Sequence, residues 1–129
     1  MFKLAMVFGV FDGLHPGHKH FLSQAVGKCE RLILVLTLDQ TSQDLKGRAP
    51  KQDYQQRAKK ISEFNSAIKI IPGDSTPGQW SMISQYKPEM IFLGYDQQGI
   101  AKELKKLDVP FAFLEAHNPE QYKSSLMDL

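Results

Sequence analysis

Residues 31–38, RLILVLTL, form an almost continuous apolar run with no polar side chains alternating through it. A strand of that kind has no face to offer water, so it must lie in a sheet covered on both sides. Four further short apolar runs occur, at 3–8, 67–71, 90–93 and 111–114. The segments between them carry the helical period instead. Phe21-Leu22-Ser23-Gln24-Ala25-Val26 reads as the inner face of a helix over 16–28, with Pro16 suited to its first position. Tyr54, Ala58, Ile61 and Phe64 recur at helical spacing behind Asp53, a candidate N-cap. Thr76-Pro77 reads as the start of a helix carrying Trp80, Ile83 and Tyr86, and Ile100, Leu104 and Leu107 mark another. Residues 41–51 are polar and read as a loop, and 118–129 as a tail that is polar until Leu126-Met127.

Strands alternating with helices predict an α/β fold: a Rossmann-like open parallel five-stranded sheet with helices on both faces. At 129 residues the chain is expected to be one domain, 1–129, large enough to bury a core without staples. Ligands of such sheets sit outside the carboxyl ends of the strands, where the strand order reverses. The tips of the first and fourth strands would then share one crevice. Those tips carry Phe8-Gly9-Val10-Phe11-Asp12-Gly13-Leu14-His15-Pro16-Gly17-His18 and Gly94-Tyr95-Asp96-Gln97.

The first of these segments places two imidazoles, His15 and His18, where a strand hands over to a helix. The first N–H groups of a helix lack intrahelical partners and favour anions, so the junction is a ready phosphate site. Gly17 lets a phosphate approach the main chain. Two ring donors there would stabilise charge building on a phosphate in a transition state. The bland reading is that His15 caps the helix and His18 is a first-turn surface residue. A metal site built from His15, His18, His20 and Asp12 is a weaker reading, because His20 points elsewhere on the helix and no cysteine ligands support it. Trp80 reads as core rather than as a substrate-stacking ring, and His20 and His117 as surface residues.

Composition excludes other classes. A formal net charge of +2 with both signs interspersed gives no electrostatic case for nucleic acid. No apolar run reaches 18 residues and no signal-peptide pattern opens the chain, so no membrane partner is expected. The one cysteine, Cys29, cannot form an internal disulfide, fits a reducing cytoplasm and reads as a small buried residue at a helix end.

The segment from Gly9 to His18, followed by Phe21-Leu22, closely resembles the signature of the cytidylyltransferase-like nucleotidyltransferases. Three further segments are similar, in the same order, over nearly the whole chain. Lys46 precedes a polar loop and Arg57 lies eleven positions on, at the start of the next helix. Gly94-Tyr95-Asp96-Gln97 has the form seen in archaeal-type FAD synthases, and Tyr122-Lys123-Ser124-Ser125 resembles a C-terminal motif that opens a helix near the triphosphate. The resemblance implies transfer of a nucleoside monophosphate from an NTP, ATP or CTP, to a phosphorylated small-molecule acceptor, with release of pyrophosphate.

By this likeness His15, His18 and Lys46 are catalytic. Gly9, Val10, Phe11, Asp12, Gly17, Gly94, Asp96, Gln97, Ser124 and Ser125 border the nucleotide. Arg57 and Lys123 serve the acceptor, with bracing of the loop as the other role for Arg57. Asp96 could also cap the helix behind it. Mg²⁺ accompanies the NTP, no protein metal site is implied, and homodimer formation stays open. The forms at 94–97 and 123–125 favour an FMN adenylyltransferase. A glycerol-3-phosphate cytidylyltransferase and a noncatalytic nucleotide-binding module are the alternatives. Two departures motivate the latter: Val10 stands where many members have Thr or Ser, and the last motif continues Leu126-Met127-Asp128-Leu129 without the usual basic residue.

Overall fold

The computed structural model describes residues 1–76 and 78–115. Five strands form one sheet: β1 (Phe2–Gly9), β2 (Cys29–Leu36), β3 (Lys69–Pro72), β4 (Met90–Leu93) and β5 (Phe111–Phe113). Their order is β3-β2-β1-β4-β5 and every pairing is parallel. The chain runs outward from β1 through β2 to β3, then crosses back to lay β4 on the other side of β1. The order therefore reverses between β1 and β4, as the sequence predicts, and the tips carrying Gly9 and Gly94 are neighbours.

Period two divides the strands between two cores. Ala5, Val7, Leu32, Leu34, Leu36 and Phe92 point to one face, where helix α1 (Pro16–Gly27) contributes Phe21, Leu22 and Ala25 and helix α3 (Tyr54–Phe64) contributes Ile61. Met6, Ile33, Val35, Ile91 and Leu93 point to the other. There they meet Met82 and Ile83 of α4 (Ser81–Tyr86), and Ala101 and Leu104 of α5 (Gln98–Lys106). Both faces of the central strands are dry, which is why residues 31–38 show no polar alternation. Asp53 caps α3 through the Gln56 N–H, and Pro16 opens α1, both as expected.

Two expectations fail. Residues 41–51 are not wholly loop, because Asp39–Lys46 is a helix, α2. It has little apolar content to signal it. It is closed by Gly47 in the left-handed conformation (φ 77°), and it buries Thr41 and Ser42 instead of large side chains. The helix after β3 starts at Ser81, not at Thr76-Pro77. The Asp74 carboxylate accepts from the Ser81 N–H at 3.0 Å and from the Ser81 hydroxyl, holding the chain in a loop until that point. Leu107 lies past the end of α5 and is half exposed. No helix among the described residues is long and apolar enough to cross a membrane.

Candidate active site

The turn from β1 to α1 is tightly coiled. Phe11, Gly13 and Leu14 all have positive φ, at 51°, 79° and 34°. Only Gly13 adopts this region freely. Phe11 and Leu14 are held there because the same coil drops both side chains into the core, where they are 0% and 7% exposed. The turn is tied outward as well. The Asp12 carboxylate accepts from the N–H groups of Lys51 (2.8 Å) and Gln52 (3.0 Å), and the Gly9 carbonyl accepts from the Thr37 N–H and hydroxyl.

His15 is the N-cap of α1, and the capping is reciprocal. Its Nδ1 accepts from the N–H groups of Gly17 (3.1 Å) and His18 (3.3 Å), while Nδ1 of His18 accepts from the His15 N–H at 3.3 Å. The two rings stack, 3.7 Å apart and 18° from parallel. Capping and a phosphate site are thus not competing readings. Fixing each Nδ1 as an acceptor leaves each neutral ring to carry its proton on Nε2. His18 is not a surface residue. It is fully buried, touches Phe11 edge-on, and its Nε2 has no hydrogen-bond partner among the described residues. Burial, with the charges of His15 and Lys46 adding, pulls its pKa from an ordinary 6.5 down to about 3. At neutral pH it is therefore an uncharged N–H donor at a helix N-terminus, where the helix dipole also disfavours an imidazolium.

The depressed pKa has a consequence for stability. As the pH falls below about 6.5 the unfolded chain takes up a proton at this ring that the folded chain refuses. Stability should therefore rise with pH from about 3 to about 6.5, and drain away on acidification across that window. Urea unfolding at stepped pH should show this slope, and His18→Gln should flatten it. A variant profile parallel to the wild type would assign the slope to other groups.

Two cavities open at the strand tips. The first, about 330 Å³, is basic: His15, Lys46, Arg48 and Lys51 line it, with Val10, Asp12 and Ser42. The second, about 410 Å³, is bounded by Phe8, Trp80, Met82 and Ile100, with Asp74, Asp96 and Glu103 at its polar margins. Val10, Ser42 and Lys46 line both. Lys46, the last residue of α2, thus stands at the junction of a cationic compartment and a mainly apolar one.

The remaining candidates divide between lining and bracing. Gly9, Asp96 and Gln97 face the second cavity, and Asp12 the first. The N-cap of α5 is Gln97, not Asp96. Gln97 uses its amide internally: Oε1 accepts from the Gly94 N–H (3.0 Å) and Nε2 donates to the Phe8 carbonyl (2.9 Å), stitching the β1 and β4 tips together. Phe11 is not among the residues that line either cavity; its ring supports His18 edge-on from the core.

Arg57 is not on an acceptor surface. It is 0% exposed and donates from NH1 to the Val10 carbonyl (3.0 Å), from Nε to the Gln52 carbonyl (3.1 Å) and from NH2 to the Asp39 carboxylate (2.6 Å). Its geometry is that of the brace, joining β1, α2 and the start of α3. Lys123, Ser124 and Ser125 lie outside the described residues.

Sequence reasoning missed Ser42, Thr41 and Trp80. Gly47 behind an Asp-initiated polar stretch was the available signal for α2. Trp80 is half-buried and lines a cavity instead of sitting in the core. Among the described residues no group of three or more His, Cys, Asp or Glu is arranged to hold a metal ion.

The sequence profile described as cytidylyltransferase-like matches residues 6–126. An FAD synthase of Thermococcus sibiricus is 31% identical over 92% of this chain and 81% of that protein. The FAD synthase of Pyrococcus abyssi is 36% identical over 78% of this chain and 68% of its own length. Among solved structures, a lipopolysaccharide core biosynthesis protein from Thermoplasma volcanium superposes with a TM-score of 0.76 at 27% identity. That match covers 92% of this chain and 100% of that one. A bifunctional NMN adenylyltransferase/ADP ribose pyrophosphatase from Francisella tularensis shares the fold. Its TM-score is 0.66 at 12% identity, over 97% of this chain and 42% of that one.

Proposed function

The chain belongs to the cytidylyltransferase-like family of nucleotidyltransferases, and from that membership we propose that it transfers the adenylyl group of ATP to FMN, yielding FAD and pyrophosphate. A phosphate oxygen of FMN attacks the α-phosphorus, and the bond from that phosphorus to the oxygen bridging it to the β-phosphate breaks. No covalent enzyme intermediate is required, so the chain's task is to position the phosphates and offset charge.

The observation that carries this reading is the stacked pair at the N-terminus of α1. His18 keeps a buried Nε2–H without a partner among the described residues, and its neighbour His15 lines a basic cavity. An unsatisfied buried donor is costly, and a phosphate oxygen would satisfy it. Nε2–H groups of His15 and His18 donate to oxygens on the α- and β-phosphates, most strongly as charge accumulates there. Lys46, flexible and shared by both cavities, follows the charge as it moves from acceptor to leaving group. Arg57 holds the Val10 carbonyl and α2 in register, so that Lys46 and His15 face one compartment. Gly9, Gly17, Gly94, Asp96 and Gln97 shape the nucleotide's bed. Mg²⁺ would accompany the triphosphate as part of the substrate and would offset the charge of the leaving pyrophosphate.

The test is pyrophosphate release with each NTP against FMN and glycerol 3-phosphate. ATP with FMN should give by far the largest kcat/KM. Preference for CTP with glycerol 3-phosphate would replace the acceptor and nucleotide named here. Tight nucleotide binding without release for any acceptor would favour the noncatalytic module.

A further inference from the structure

We propose that Trp80 is the acceptor-recognition residue, its indole forming the wall against which the planar ring system of the phosphorylated acceptor stacks. This deepens, and rests on, the reading that the acceptor is FMN.

Four observations converge on it. First, Trp80 lines the larger cavity. Second, its backbone is left-handed, φ 52° and ψ 34°, a region bulky residues rarely occupy; it serves as N-cap of α4 yet makes no capping bond from its side chain. A residue suited to ending the loop would be Gly or Asn, so helix geometry does not account for an indole there. Third, Phe8 of β1 meets it edge-on, with centroids 5.2 Å apart and planes 88° apart, which fixes the indole's orientation. Fourth, Lys46 belongs to this cavity and to the basic one that His15 lines. A molecule with its rings against Trp80 can therefore direct a phosphate towards Lys46 and the His pair.

The chemistry of the walls selects the occupant. Phe8, Trp80, Met82 and Ile100 offer apolar area and a π face. Glycerol 3-phosphate has no apolar surface to set against them. A nucleobase is planar too, and Asp96 and Gln97, which the reading above gives to the nucleotide, line this same cavity. The base is set against the residues that follow β4, and the acceptor's rings against Trp80, which the segment between β3 and α4 carries. Of the two acceptors, the one that uses both the ring wall and Lys46 is the phosphorylated compound with an extended aromatic system.

This is the chain's sole tryptophan, so substitutions at 80 report on one indole. Trp80→Ala should raise the KM for FMN by about tenfold or more, as loss of an aromatic stacking partner does, with the KM for ATP and the Tm unchanged. Trp80→Phe should recover much of the loss. FMN emission, which is quenched when a flavin touches an indole, should fall on binding to the wild type and much less with Trp80→Phe. A KM increase confined to ATP would assign the wall to the base and overturn the proposal, as would undiminished FMN emission on the saturated wild type. Failure of the wild type to turn over FMN at all would instead sink the acceptor named above, and is read separately, before any variant is made.

Discussion

Replacing His18 by alanine should lower kcat by two to three orders of magnitude, about the effect of losing one oxyanion donor. The ring's Nδ1 is committed to the His15 N–H, and its face is stacked on the His15 ring. What alanine removes is therefore a neutral Nε2–H whose position the helix cap dictates. That donor matters most when charge develops on the phosphates, so the KM for ATP should change far less than kcat. His18→Gln, which can place an amide N–H in the same region, should retain more turnover than alanine. Parallel thermal unfolding separates catalysis from packing, because the ring is fully buried against Phe11. A folded His18→Ala variant with wild-type kcat would remove the residue from the mechanism.

Arg57→Met is the second large effect, expected first in stability. The guanidinium is wholly buried, and its three bonds go to two carbonyls and one carboxylate on separate segments. Methionine fills the volume but leaves the Val10 carbonyl unsatisfied and Asp39 without its cation. Asp39 is 43% exposed and can turn to water, so the loss falls towards the lower end of the range for broken buried pairs. About 3 kcal/mol is expected, or a fall in Tm of about 10 °C for a chain of this length. Arg57→Lys should rescue little, because an ammonium cannot span acceptors arranged for a planar fork. The variant should also lose activity at temperatures where it is still folded, since Asp39 anchors the helix that carries Lys46. A Tm within a degree or two of wild type would show that the brace contributes little.

The two effects differ in how visible they were in the sequence. The His pair follows an apolar strand and precedes a helical face, so its place at a strand-to-helix junction could be read from residues 4–26 alone. The same reading predicted the parallel sheet and the meeting of the 9–18 and 94–97 segments, because strand burial and topological reversal need only the order of periodic segments. For Arg57 the sequence predicted its position at the start of a helix but not the direction of its side chain. Its partners lie at 10, 39 and 52, and no local pattern links them.

What the chain's sequence determined by itself was therefore the element order, the doubly covered sheet and the presence of two imidazoles at a helix start, because periods of two and 3.6 and the capping of a helix are local properties. Tertiary packing alone decided that His18 is buried and neutral, that Arg57 is a brace rather than a surface cation, that the polar stretch after β2 coils into α2, and that Trp80 walls a cavity. Each depends on which groups from distant segments surround a side chain. Desolvation, charge and strain are set by those surroundings and not by sequence neighbours.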